Sequence, residues 1–285
     1  YSSDLGQKAH DYAQEGKGRS LKIGNDRKLA EYIENKIVDN RFSPEAALAE
    51  VARSGIEFKT TISVRTLYRY IDNGIFLKLT NKDLPIKSKK KKHNKKVQVQ
   101  KRATAGESIE NRPKEIEKRE IFGHWEMDTV KGKRGVTKSC MLVLTERKTR
   151  DEIVIKLKDQ GAASVVDALD RLERKWGDMF YKVFRSITVD NGVEFSDYEG
   201  MECSALKEEK RTFVFYCHPY SSWERGTNEN NNRLIRRHIP KGVDFEDTTD
   251  EEIKYIETWI NNYPRGIFDF KTSAELFDEE LQKLA

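Results

Sequence analysis

Apolar side chains between Arg27 and Asp39 fall at Leu29, Tyr32, Ile33, Ile37 and Val38, close to the helical repeat, which predicts a helix there. Ser43-Pro44-Glu45 then supplies an N-cap, a proline at the first helical position and an acid in the first turn of a helix through Ala46, Leu48 and Val51. A further start follows at Ser63, where Ile62 and Leu67 are spaced as a hydrophobic staple, and the helix runs from Val64 to Ile71 until Gly74 ends it. Its exposed face would carry Arg65, Thr66 and Arg69, with Leu67 and Ile71 turned inward. Short helices ending in a basic face read as a small all-α, helix-turn-helix-like domain over residues 28–80, its last helix suited to a DNA major groove. The connection from Ser54 to Ile62 is longer than the roughly four residues of the simplest such turn, which keeps a three-helix protein-contact module open.

From about Ser108 the pattern changes. Phe122 to Lys131 reads as a strand, followed by a turn through Gly132 to Gly135 and an apolar run from Ser139 to Thr145. A charged turn, Glu146 to Arg150, leads to a strand from Asp151 to Leu157, completing an antiparallel meander. Val165, Val166, Leu169, Leu172 and Trp176 mark a helix from Ala162 to about Trp176. Phe184 to Val189 is a short buried strand ending at Asp190-Asn191-Gly192, where glycine permits a sharp exit. A helical stretch near Met201 to Lys207, a fifth strand from Thr212 to Tyr216 and a last helix follow. This order is that of an RNase-H-like domain: an α/β core over residues 108–240 with a mixed five-stranded sheet flanked by helices. Asp250 to Asn262 is amphipathic, with Ile253, Tyr255, Ile256, Trp259 and Ile260 inward, and Ser273 opens a final helix. Residues 241–285 are therefore expected as a helical appendage packed on the core, with Arg265 a candidate DNA contact.

Charge divides the chain. Its net charge is +5, yet residues 1–104 hold 23 Lys+Arg against 12 Asp+Glu, leaving 30 against 36 for the rest. Nine of the sixteen positions from Lys87 to Arg102 are basic, Lys89, Lys90, Lys91 and Lys92 among them, in a stretch nearly free of apolar residues. Residues 81–107 read as a basic linker, either a solvated tether or an arm that adds salt-dependent affinity for DNA by counterion release. No apolar run approaches the roughly 18 residues of a membrane span and no signal-peptide core is visible, so a soluble cytoplasmic protein is expected. Cys140, Cys203 and Cys217 are too scattered for a disulfide framework or a zinc cage and are expected to be ordinary buried thiols. The chain opens at Tyr1, and residues 1–27 are read as an N-terminal flank cut short.

In such a sheet Asp128 lies on the first strand, Asp190 at the end of the neighbouring fourth, and Glu229 in the first turn of the following helix, so the three acids can converge. Hard divalent cations take oxygen ligands, and Mg²⁺ is commonly held by one or two carboxylates plus substrate phosphate. Two ions about 4 Å apart can activate a water or 3′-hydroxyl and stabilise the leaving oxygen. Glu229, Asn232, Arg233 and Arg236 share one helical face, a polar stripe with the acid at its metal end and DNA-binding side chains beyond it.

Gly123-His124-Trp125-Glu126-Met127-Asp128, Asp190-Asn191-Gly192-Val193-Glu194-Phe195 and the run from His218 to Asn230 resemble the signatures of the insertion-sequence-30 family of bacterial DDE transposases. Ser108-Ile109 and Arg112-Pro113 fit as well, and the resemblance covers residues 28–80 loosely and 108–275 closely. It implies a transposase core using two Mg²⁺ ions, with Mn²⁺ able to substitute, to cleave and join DNA at the inverted-repeat ends of a mobile element. It also implies a protein on the bacterial nucleoid, and two element ends held together call for a dimer or higher assembly on DNA. The catalytic, metal-binding acids map onto Asp128, Asp190 and Glu229. The interval of 38 residues between Asp190 and Glu229 is a few longer than the family's, with the excess near Asp197 to Lys210, and a shorter spacing would select Glu224. Gly226-Thr227-Asn228-Glu229-Asn230-Asn231-Asn232 matches the G-x-x-E-x-x-N pattern of integrase-like cores and favours Glu229.

Neighbouring residues have two readings each. Glu126 shares a strand face with Asp128 and is either a solvated edge charge or a metal contact. His124 is a packed histidine, a proton shuttle or a DNA contact; His218, before the active-site loop, is a further catalytic candidate; Trp223 is a base-stacking residue or a loop anchor. Glu194 is expected to be structural. Three functions follow: an active transposase, a DNA-binding regulator with a decayed core, and a structure-selective nuclease of the same fold. The presence of all three acids argues against the second.

Overall fold

A computed structural model describes residues 3–15, 21–85, 106–133, 138–218, 224 and 226–284, without the side chains of residues 13–15 and 226–229. The chain divides into two compact units, Tyr1–Lys90 and Lys91–Ala285.

In the first unit, α1 (Ser3–Glu15) is a helix the hydrophobic pattern does not announce, and its side chains from Ser3 to Tyr12 are exposed. The expected helix from Arg27 is α2 (Arg27–Glu34), continued by a wider-wound turn, Asn35–Asp39. The next two are α3 (Pro44–Arg53) and α4 (Val64–Asp72), where Ser43 and Ser63 accept the N–H groups of Ala46 and Thr66 as N-caps. Leu29, Ile33, Ile37, Ala47, Leu67 and Leu79 form the buried centre. Asp26 explains how the long connection before α4 is held. Its carboxylate caps α2 through Leu29 N–H at 3.1 Å and accepts the Lys59 and Thr60 N–H groups at 2.5 and 3.1 Å. Burial raises its pKa, and the backbone donors together bring it below the usual value.

The second unit is built on a mixed sheet. Its strands are β1 (Glu107–Ser108), β2 (His124–Lys131), β3 (Cys140–Glu146), β4 (Glu152–Leu157), β5 (Ser186–Val189) and β6 (Phe213–Tyr216), in the order β1-β6-β5-β2-β3-β4. The antiparallel β2–β3–β4 meander and the parallel β2–β5–β6 run give the RNase-H-like arrangement. Six strands replace the expected five, because β1 is a two-residue edge parallel to β6, too short to leave a periodicity. Helix α5 (Ala162–Trp176) has its expected bounds, whereas α6 (Met179–Val183) was not foreseen. The expected helix at Met201 to Lys207 lies earlier, as α7 (Tyr198–Glu202), capped by Asp197; the residues after it turn back through a bridge between Cys203 and Lys210. Cys203 is exposed, in contrast to the expectation of three buried thiols, while Cys140 and Cys217 are buried.

The core lies on the α5 face of the sheet, where Trp125 stacks on Phe184 with ring centroids 4.7 Å apart and donates to the Val183 carbonyl at 2.7 Å. Phe277 of α10 (Ser273–Gln282) packs on Phe122 and Trp125, which seats the appendage on the core. At the other edge of the sheet, α9 (Asp250–Asn261) closes β4. Asn261 accepts from Glu152 N–H at 2.8 Å and donates to its carbonyl at 2.7 Å, while Glu257 accepts from Val154 N–H at 2.8 Å. These side chains substitute for a missing neighbour strand. Asn261→Ala would leave two edge groups unpaired and is expected to cost about 1–3 kcal/mol in chemical unfolding. An unchanged midpoint would mean that water serves the edge equally well.

Candidate active site

Strand alternation sends Trp125 and Met127 into the core and His124, Glu126 and Asp128 to the opposite face of β2. On β5, Ile187 and Val189 face the core, so Ser186, Thr188 and the following Asp190 share the face of Asp128. The parallel register pairs His124 with Ser186, Trp125 with Ile187 and Glu126 with Thr188. The pairing ends at Glu126 and Thr188, and in the same phase Asp128 on β2 and Asp190, just past the end of β5, follow on that face. Both aspartates are half-buried.

Below them this face is a buried polar layer. His124 Nδ1 meets Ser186 Oγ at 2.8 Å, Arg112 donates to Thr188 Oγ1 at 2.8 Å, and Arg147 donates to Glu126 at 2.6 Å. Glu117 pairs with both arginines. Glu126 is fully buried and spoken for by Arg147, which corrects both of its expected readings: it is neither a solvated edge charge nor a carboxylate turned to a metal. Burial, then Arg185, Arg147 and Arg112, pull the His124 pKa down to about 4, leaving a neutral packed imidazole at physiological pH. Sequence reasoning missed Arg112 and Arg147 as partners; the signal available was that a buried acid on a strand requires a counterion.

Asp190 accepts the Gly192 N–H at 2.9 Å in a tight turn, and Asn191 donates to the Cys217 carbonyl at 2.7 Å. Asp128 Oδ2 accepts from Asn232 Nδ2 at 2.8 Å, so helix α8 (Gly226–His238) docks onto the first aspartate. Glu229 lies one helical turn before Asn232 at the start of α8; its side chain is outside the described residues. Asn232 Oδ1 is buried without a hydrogen-bond partner. A bare carbonyl oxygen beside a carboxylate suits a hard divalent cation or a water bound to one. Among the described residues no three His, Cys, Asp or Glu side chains are grouped to hold a metal.

The expected polar stripe on α8 is divided. Asn232 serves Asp128, Arg233 is exposed, and Arg236 donates to the Lys131 carbonyl at 2.7 Å with its guanidinium over Phe245. Arg265 donates to Asn231 Oδ1 at 2.9 Å and to the Arg150 carbonyl at 3.3 Å, which fastens α8 to the appendage.

No protein-family model matches the chain. It is 36% identical over 217 residues to the probable transposase for the insertion-like sequence element IS1161 of Streptococcus salivarius, covering 76% of this chain and 58% of that protein. Against transposase InsI for insertion sequence element IS30A of Escherichia coli, it is 34% identical over 173 residues, 61% of this chain and 42% of that one. With the transposase for insertion sequence element IS4351 of Bacteroides fragilis it shares 32% identity over 251 residues, 86% of this chain and 71% of the relative. The chain belongs to the IS30 family of transposases. Among solved structures, the catalytic core domain of BIV integrase matches with a TM-score of 0.43 at 19% identity, covering 58% of this chain and all of that one.

The IS30-type run from His218 to Asn230 contains the competing glutamate. Glu224 Oε2 accepts the His218 backbone N–H at 2.9 Å, Glu224 Oε1 meets His218 Nδ1 at 2.7 Å, and His218 Nε2 meets Glu110 Oε1 at 3.1 Å. Glu224, then Glu110, raise the His218 pKa. Both oxygens of Glu224 are thus engaged by His218. Trp223 and Lys89, Lys90, Lys91 and Lys92 lie outside the described residues. In the first unit of this IS30-family chain, Arg65 and Arg69 are exposed on α4, while the Thr66 hydroxyl meets Ser63 Oγ at 2.9 Å as part of the cap.

Proposed function

We propose that this chain cuts and joins DNA at the ends of an insertion sequence, as a polynucleotidyl transferase in which Asp128, Asp190 and Glu229 hold two Mg²⁺ ions, Mn²⁺ being able to substitute. The observation that carries this reading is the β2–β5 register leading up to Asp128 and Asp190, with Asn232 joining Asp128 to the helix whose first turn holds Glu229. Paired divalent ions, when bound, would activate a water or a 3′-hydroxyl and offset charge on the departing oxygen. Asn232 fixes one oxygen of Asp128, and the turn at Gly192 fixes one of Asp190, which orients both carboxylates. In cutting, the oxygen of water bonds to phosphorus as the bond to the 3′-oxygen breaks; in joining, the freed 3′-hydroxyl attacks a target phosphodiester and expels its 3′-oxygen. The nucleophile's proton passes to solvent, and the expelled oxygen takes one up.

The division of labour follows the charge. Residues 28–80 would read DNA through Arg65 and Arg69, residues 81–107 would track phosphates through Lys89 to Lys92, residues 108–240 carry the chemistry, and residues 241–285 brace α8. Arg233, exposed beyond Asn232, would meet a phosphate near the acids. Two element ends imply a dimer or higher assembly on DNA, in the bacterial cytoplasm at the nucleoid. No helix among the described residues is long and apolar enough to cross a membrane. The test is a labelled duplex bearing the element's inverted repeats, incubated with target DNA and Mg²⁺ or Mn²⁺. Nicked ends followed by joined products are expected, and chelation should stop both. Cutting without joining would indicate the nuclease, and salt-sensitive binding with no cutting the regulator.

A further inference from the structure

The far end of β2 is gripped from two sides. Glu194 lies four residues after Asp190, with its side chain only 6% exposed, and accepts from Thr129 Oγ1 at 2.6 Å with Lys131 Nζ at 3.6 Å. Thr129 and Lys131 follow Asp128 on the same strand. A Cβ on Gly192 would lie 2.7 Å from Glu194 Oε2 and 2.9 Å from Asp190 Oδ1, so glycine lets the loop fold tightly enough for the two carboxylates to flank one point. From the other side, Arg236 donates to the Lys131 carbonyl at 2.7 Å. Arg236 lies two helical turns after Glu229, on the same face of α8. Its Nη1 is buried without a hydrogen-bond partner.

We propose that the Thr129–Lys131 end of β2 is the reference against which the other two acid-bearing segments are set, with Glu194 and Arg236 as positioning residues. The inference rests on the assignment of Asp128, Asp190 and Glu229 as the metal-binding acids. Each clamp starts from the segment of one acid and ends within three residues of Asp128, so together they limit sliding of the Asp190 loop and of α8 relative to the first aspartate. Neither needs to touch a metal or DNA to do so. Groups that orient metal ligands typically change affinity about 10- to 100-fold when removed.

The experiment is Mn²⁺ binding to the full chain without DNA, followed by electron paramagnetic resonance, on wild type, Asp190→Asn, Thr129→Val, Glu194→Gln, Arg236→Lys and Arg236→Met. DNA affinity across salt and thermal unfolding are recorded for the same proteins. Asp190→Asn should remove most Mn²⁺ binding. Glu194→Gln, Thr129→Val and Arg236→Met should each weaken it about 10-fold, with Arg236→Lys recovering part of the loss and DNA affinity unchanged. Cutting by these variants should then regain its rate at high metal concentration. A normal Mn²⁺ affinity in Arg236→Met, with DNA binding weakened and its salt slope reduced by about one, would make Arg236 a phosphate contact and overturn the proposal. So would losses that track the melting temperature and resist added metal. Wild-type protein that binds no Mn²⁺, or full binding by Asp190→Asn, would instead sink the metal assignment itself and this inference with it.

Discussion

Asp190→Asn should lower metal-dependent cutting and joining by ~1,000-fold or more while leaving folding and DNA binding intact. Asparagine matches aspartate in shape and keeps an oxygen to accept the Gly192 N–H, so the turn after β5 should survive. What it loses is the negative charge that a hard divalent cation requires. The strand below is anchored independently, by Ile187 and Val189 in the core and by Arg112 on Thr188, which is why a local change of charge should not spread. Single-turnover cutting of a terminal-repeat duplex, read beside anisotropy binding and thermal unfolding, decides the matter. Asp128→Asn should behave alike, although its amide must also accommodate the Asn232 amide now donating to Asp128 Oδ2. Cutting at the wild-type rate by either variant would rule out the metal-acid reading.

The strand positions of Asp128 and Asp190 were legible because strands expose their logic in short windows. Trp125 and Met127 declare the core face of β2, and the alternation then places His124, Glu126 and Asp128 together on the other. Helix starts at Ser43 and Ser63 were legible for the same local reason, since a cap and its first turn are neighbours in sequence. The partners of charged groups were not. Glu126 is matched by Arg147 across the meander, Arg236 by a carbonyl of β2, and Arg265 by Asn231 of α8, pairings fixed by how distant segments pack. A charged residue in isolation reads as a surface group, and here each of these has a partner within the protein. The two-residue β1 and the exposed α1 escaped for another reason: neither has enough apolar periodicity to register.

The third acid separates most sharply by comparing two glutamines. Glu229→Gln should fall by ~1,000-fold or more, like the aspartate variants, because α8 presents its first turn to the site through Asn232 on Asp128. Glu224→Gln should keep cutting within about threefold at neutral pH, since exposed ion pairs contribute little. Both oxygens of Glu224 already serve His218, through its backbone N–H and its ring. The pH dependence has a definite sign. Glu224 and Glu110 raise the His218 pKa, so the charged clasp is fully formed at acid pH and is lost as pH rises through that raised value. Glutamine removes the larger of the two causes, so the His218 pKa should move back towards its ordinary value and the imidazole NMR titration should shift to lower pH. Cutting by Glu229→Gln should stay depressed at every pH, because a missing metal ligand is not restored by protonating a histidine. The opposite result, with Glu224→Gln inactive and Glu229→Gln active, would require the His218 clasp to open and hand Glu224 to the metal. That would make the lengthened interval after Asp190 irrelevant and the shorter spacing the functional one.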